Sequence, residues 1–159
     1  MQTNLDRLSE EEKQELYDAI PLITILIAGA DGNIDEEELE WSKKLTHIRS
    51  YSTGEQLQVF YSKIEADLQD KLKRWQDALP KDVKERQASI SARLSQLNPI
   101  LAKMDVEAGA VFYQHLTSFA KHVAKASGGF LGFGSISKEE EELINLPMVT
   151  PIVIEEDEA

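Results

Sequence analysis

Asp31, Asp35, Glu36, Glu37 and Glu38 set five carboxylates within eight residues. Oxygen donors crowded to that degree repel one another unless water, salt or a bound cation screens them. The chemistry they could do is the capture of a hard divalent cation, with Ca²⁺ or Mg²⁺ first, Mn²⁺ also suited and Zn²⁺ disfavoured. A structural role competes at the same residues. Asp35 stands at an N-cap position and Glu38 three residues on, a capping box that stabilises a helix start by about 1 kcal/mol. A Glu38 folded back on Asp35 cannot fully face an ion. Asp31 is the strongest ligand candidate, because its turn could be made by Asn without any charge. Asp31, Gly32 and Glu38 fit the later part of a calcium loop, with Ile34 at the buried aliphatic position. Ile27 and Gly29 occupy the places of two early ligands, so this is no EF-hand.

Helices must position these acids. A capping box at Ser9-Glu10-Glu11-Glu12 opens a helix in which Leu16, Ala19, Ile20, Ile23, Ile27 and Ala30 recur at helical spacing. Its second half is apolar all round and reads as a central, buried helix that Pro21 kinks or restarts. After the Asp31-Gly32 turn, Leu39, Trp41, Leu45 and Ile48 face the core from a second helix. Thr53 caps one long helix with the stripe Leu57, Phe60, Ile64, Leu68, Leu72, Trp75 and Leu79, ended by Pro80. Another carries Val83, Ile90, Leu94, Leu97 and Leu101, with a break at Asn98-Pro99. The charged groups of this pair (Lys63, Glu65, Asp67, Lys71, Lys73, Arg74, Lys84, Glu85, Arg86) read as solvated surface. Asp105 caps a helix with Val106, Gly109, Tyr113, Leu116, Ala120 and Val123 inward, and Ser137 to Glu140 opens a short last helix stopped by Pro147. Val149 to Ile154 is the one strand-like stretch. The expected fold is all-α: one helical bundle of six to eight helices over residues 9–147, with a loose lead-in at 1–8 and an acidic tail at 148–159 whose end, Glu155 to Glu158, is expected to be disordered.

A chain of 159 residues suits one domain with a sizeable core. Its net charge of −12 disfavours nucleic acid and anionic membrane as partners and favours cations or a basic protein. Without cysteine there is no disulfide, thiolate nucleophile or cysteine-held metal. The polar, acidic N-terminus is unlike a secretory signal, and the apolar stretch from Ala19 to Ala30 is too short to span a bilayer, so a cytoplasmic protein is expected.

The two halves echo each other. Ile27-Ala28-Gly29-Ala30-Asp31-Gly32 aligns with Val123-Ala124-Lys125-Ala126-Ser127-Gly128, and after a six-residue insertion Asn33-Ile34-Asp35-Glu36-Glu37-Glu38 aligns with Ser135-Ile136-Ser137-Lys138-Glu139-Glu140. A duplicated helix–loop–helix accounts for this and would bring both loops to one end of the bundle. On Ala30-Asp31-Gly32-Asn33-Ile34 with Glu38, and the second Ala-x-Ala-x-Gly unit with Ile136 and Glu140, the chain resembles the tellurite-resistance TerB-like family over about residues 10–147. The resemblance implies an all-helical fold of two similar halves, divalent-cation binding by acids of the Asp-Gly loops, a place in stress or metal-resistance systems, and no established enzymatic activity. It marks Asp31, Glu38 and Glu140 as ligands. Ser127 stands where the second half would carry its Asp, which removes one carboxylate from a symmetrical site.

Other candidates are weaker. His115 and His122 lie seven residues apart, about 10 Å along a helix, too far to share a metal, and with His47 they read as surface or boundary residues. No Ser/His/Asp set has a recognisable context, so no enzyme is expected. The loop 128–134 is not a P-loop, and Phe130 or Phe133 should cover the Asp31 corner like a lid. The expected function is a non-enzymatic, cation-binding adapter or sensor. The alternative is a structural protein-interaction module without metal, and both leave a homodimer open.

Overall fold

The computed structural model describes residues 4–128 and 138–152, side chains at 127 and 128 excepted. Eight α-helices follow a 3₁₀ turn at Leu5–Arg7: α1 Glu10–Ala28, α2 Glu36–Ser52, α3 Glu55–Glu65, α4 Leu68–Ala78, α5 Val83–Ser95, α6 Leu97–Ala102, α7 Val106–Gly128 and α8 Lys138–Leu143. The fold is an all-α bundle, and none of the described residues, Val149 to Ile152 included, forms a strand. No helix among them is long and apolar enough to cross a membrane.

The bundle is wrapped around α1. From Tyr17 to Ala28 every residue but Asp18 is buried, and the helix continues through Pro21. Its start carries the complete capping box: Glu12 N–H donates to Ser9 Oγ at 3.1 Å and Ser9 N–H to Glu12 Oε1 at 2.9 Å. Lys103 holds the other oxygen of Glu12, which keeps that carboxyl below its ordinary range.

Ion pairs and hydrogen bonds set the helix directions. Arg7, just before α1, pairs with Asp105, just before α7, at 2.8 Å, and Asn4 Oδ1 accepts the Asp105 N–H at 2.9 Å. At the far end, Glu36 and Glu37 share a groove with Lys125 and Ala126. Thus α1 and α7 run parallel and α2 returns antiparallel to both. Arg86 near the start of α5 reaches Gly29, and Arg93 near its end reaches Glu15, so α5 is antiparallel to α1 as well.

Several boundaries and faces differ from expectation. The helix expected from Thr53 to Leu79 is two, because the chain turns at Ala66 and Asp67, and Gly54 takes the cap position while Thr53 Oγ1 donates to Arg49 O at 2.6 Å. The break expected at Asn98-Pro99 falls at Gln96, and Pro99 sits in the first turn of α6, where a missing N–H costs little. On α7 the inward face is carried by Phe112, Leu116, Phe119, Ala120 and Val123, whereas Val106 is 63% exposed. On α2, Trp41 is half-buried and Ile48 exposed, while Glu38, Ser42, Thr46 and Arg49 point inward. Arg86, read as solvated, is buried at 5% exposure. Residues 4–8 are anchored rather than loose, with Leu5 and Leu8 in the core and Asn4 N–H bound to Gln56. Of the tail expected at 148–159, residues 148–152 are docked on the bundle, with Val149 buried and Asn98 bound to Met148 O and the Thr150 N–H, while 153–159 and the glycine-rich segment 129–137 lie outside the described residues.

Phe60 joins α3 to the core, its ring within 5.9 Å of Tyr17, 5.1 Å of Tyr61 and 5.2 Å of Phe112. Truncating it leaves a cavity that rigid helices cannot fill. Phe60→Ala should therefore lower unfolding stability by about 3–5 kcal/mol. A urea titration showing less than about 1 kcal/mol would mean that the α1–α3–α7 packing is not as described.

Candidate functional site

The ends of α1 and α7 and the starts of α2 and α5 meet at one end of the bundle, with α8 beside them. A cleft of about 370 Å³ there is lined by Ala30, Asp31, Val83, Lys84, Glu139 and Leu143, among others. Helix α8 thus lies beside the Asp31-Gly32 turn. The expected lid residues Phe130 and Phe133, and Ser127 itself, fall outside the side chains described.

The acids at this corner have separate local duties. Asp31 is exposed, and its Oδ1 accepts the Asn33 N–H at 3.1 Å, closing a turn over Gly32, whose φ of +104° favours glycine. Asp35 Oδ1 accepts the Glu38 N–H at 3.1 Å, a true N-cap. The reciprocal half of the box is not made, because the Asp35 N–H donates to Ala28 O at 3.0 Å. Glu38 is thereby released from capping, and its side chain enters the core at 0% exposure. Glu140, its counterpart in the repeat, is 5% exposed on α8, and in both residues Oε2 is closed off from solvent. A carboxylate removed from water is kept ionised only by hydrogen bonds or a cation. Among the described residues no group of three or more His, Asp or Glu side chains is arranged to hold a metal ion.

Arg86 closes the corner. Its Nη2 donates to Gly29 O at 2.9 Å and its Nη1 to Lys81 O at 3.3 Å. A cation at the carbonyl end of α1 also complements the helix dipole. The approach is close: a β-carbon on residue 29 would lie 2.7 Å from Nη2, so any larger residue there would have to displace the Arg86 guanidinium.

No protein-family model, curated protein or solved structure matches this chain. Its chemistry is therefore read from its own geometry.

Two further features were not among the expected site residues. Arg49, buried, donates from Nη1 to Tyr61 Oη at 2.8 Å and His115 O at 3.0 Å, and from Nη2 to Ser118 Oγ at 2.6 Å. Its guanidinium also lies 5.6 Å from the ring centres of Tyr61 and Phe119. Because Arg49 donates to the Tyr61 oxygen, the phenolic hydrogen is free to meet His115 Nδ1, 3.2 Å away. That geometry needs an unprotonated Nδ1. Burial, with the Arg49 charge alongside, pushes His115 down from 6.5 to about 4. Of the other histidines, His47 and His122 are exposed as expected, and His47 pairs with Glu65. The second feature is a groove of about 550 Å³ between α2 and α7, lined by Glu36, Glu37, Glu40, Trp41, Lys44, His122, Lys125 and Ala126. Trp41 had read as a core residue. An amphipathic helix with apolar groups on two adjacent faces offers no periodicity by which to tell the inner from the outer one.

Two outcomes follow from these contacts. Replacing Asp35 by Ala should cost about 1 kcal/mol in thermal or chemical unfolding, while Asn there, which caps equally well, should be nearly neutral. Equal losses from both would show that the charge, not the cap, is what matters. His115 binds its proton more weakly folded than unfolded, so its contribution is complete above pH 6.5 and is lost as pH falls toward about 4. The difference in stability between the parent and His115→Gln should therefore shrink across that window, and a pH-independent difference would contradict the Arg49–Tyr61–His115 junction.

Proposed function

We propose that the chain is a non-enzymatic protein-interaction module of adapter type, in which the acids near Asp31 chiefly build helix ends. The observation that carries this reading is the α2–α7 groove, where Trp41 is half-buried between charged walls on a face its own chain leaves open among the described residues. Aromatic side chains partly open to solvent at the floor of a groove are favoured anchors for partners. The Asx turn of Asp31 and the cap of Asp35 support the structural role of the acids. A cytoplasmic setting is part of the proposal, supported by the lack of cysteine and of any helix suited to a membrane among the described residues.

A second reading, a divalent-cation sensor in a TerB-like stress or metal-resistance system, is favoured by one observation. Glu38 and Glu140, the paired glutamates of the two halves, are both withdrawn from water, and their helices border the Asp31 corner. Ca²⁺ or Mg²⁺ would suit such oxygen donors.

Titration of chelator-treated protein with Ca²⁺, Mg²⁺, Mn²⁺ and Zn²⁺ separates the two. The module reading expects no calorimetric binding and no melting shift beyond that of ionic strength, in the parent and in Asp31→Asn alike. Saturable binding of one ion, with a melting shift that Asp31→Asn abolishes, would replace it by the sensor reading.

A further inference from the structure

We propose that the α2–α7 groove receives a second copy of this chain, packed about a two-fold axis that runs along the groove. This rests on the interaction-module reading and names its partner. The groove carries both signs of charge. Glu36, Glu37 and Glu40 stand on its α2 wall with Lys44 further along, and Lys125 is the charge on its α7 wall, beside His122, which burial and the neighbouring Arg49, Lys125 and Lys121 charges hold below its ordinary range. Glu40 pairs with Lys43 at 2.9 Å. Among the described residues, Glu36, Glu37, Lys44 and Lys125 make no ion pair with their own chain. Opposite charges thus border one groove without neutralising each other. Ile48, 37% exposed and two helical turns beyond Trp41, lies on the same face of α2, past the residues that line the groove.

A partner of uniform charge would meet Glu36 and Glu37 or else Lys44 and Lys125 favourably, and repel the other set. A second copy satisfies both. The two-fold lays α2 of one copy on α7 of the other, and because the axis runs along the groove it keeps each end of the groove at its own level. Glu36 and Glu37 then face the partner's Lys125, twice over, and each Trp41 meets the partner's Ala126 and the partner's His122. The net charge of −12 on each copy opposes approach from afar. At physiological salt that repulsion is screened beyond about 8 Å, whereas the facing walls lie within it.

Sedimentation equilibrium of the full chain, from low micromolar to near-millimolar concentration at about 0.15 M salt, tests the proposal. It should show a concentration-dependent dimer. Trp41→Ala, Glu37→Lys and Lys125→Glu should each weaken dimerisation by about tenfold or more, and Glu37→Lys combined with Lys125→Glu should recover most of that loss. Recovery by the double exchange is an effect that altered folding of one variant could not produce. A chain that remains monomeric throughout overturns the proposal, as does a dimer that none of the single variants weakens. To tell that failure from failure of the module reading, the Trp41 indole N–H resonance of the monomer is followed while a lysine-rich amphipathic peptide is added. A shift keeps an interaction module with a basic partner, and its absence removes both.

Discussion

Helix α1 is buried along its second half, so its carbonyl end must be satisfied inside the protein rather than by water. Much of the acidic corner answers that one requirement. The Asp35 N–H takes Ala28 O, the Gly29 N–H takes Ile25 O at 2.9 Å, and Arg86 is drawn out of solvent to take Gly29 O. Each answer has a further effect. The first deprives Glu38 of its capping partner and lets its side chain turn inward. The last ties α5 to the end of α1 and leaves room at residue 29 only for glycine unless the guanidinium moves. A burial constraint on one helix thus decides where two charged side chains on other helices lie.

Helix α2 is turned in an unusual sense. Glu38, Ser42, Thr46 and Arg49 face inward with Leu39 and Leu45, whereas Trp41 and Ile48 look out. Ser42 and Thr46 manage this at little cost, their hydroxyls bonding Leu39 O at 2.7 Å and Ser42 O at 2.8 Å within the same helix. Arg49 is held by side chains and a carbonyl from α3 and α7. Polar groups in the core specify how these three helices sit against one another, and the apolar groups they displace become the surface of a groove.

The all-α class and the central helix were legible because capping boxes and a long apolar run announce themselves locally. Ser9 with Glu12 and Asp35 before Glu38 mark true helix starts. The echo of Asp31-Gly32 near residue 128 is visible in the sequence, and α8 lies beside Asp31, but the second loop itself falls outside the described residues. What could not be read depends on partners far along the chain. Arg86 resembles any surface arginine until Gly29 O, 57 residues away, needs a donor. Trp41 and Leu39 are equally apolar, and only the polar contacts of Arg49 decide which of their faces is inner. The turn at Ala66 and Asp67 interrupts a heptad-like stripe without Gly or Pro, so nothing in the local sequence signals it.

The parallel course of α1 and α7 has a consequence for how the molecule is made. The most apolar helix is synthesised first, yet the long helix that covers it is produced only after α2 to α6. During vectorial synthesis at about 5–20 residues per second, α1 spends seconds without its main neighbour. Early contacts with α2 and α3 can shield one side of it, but the bundle closes only when nearly the whole chain has emerged. Closing the bundle therefore requires contacts between segments far apart in the chain, and the loop-closure entropy of bringing them together is met before those contacts can stabilise α1.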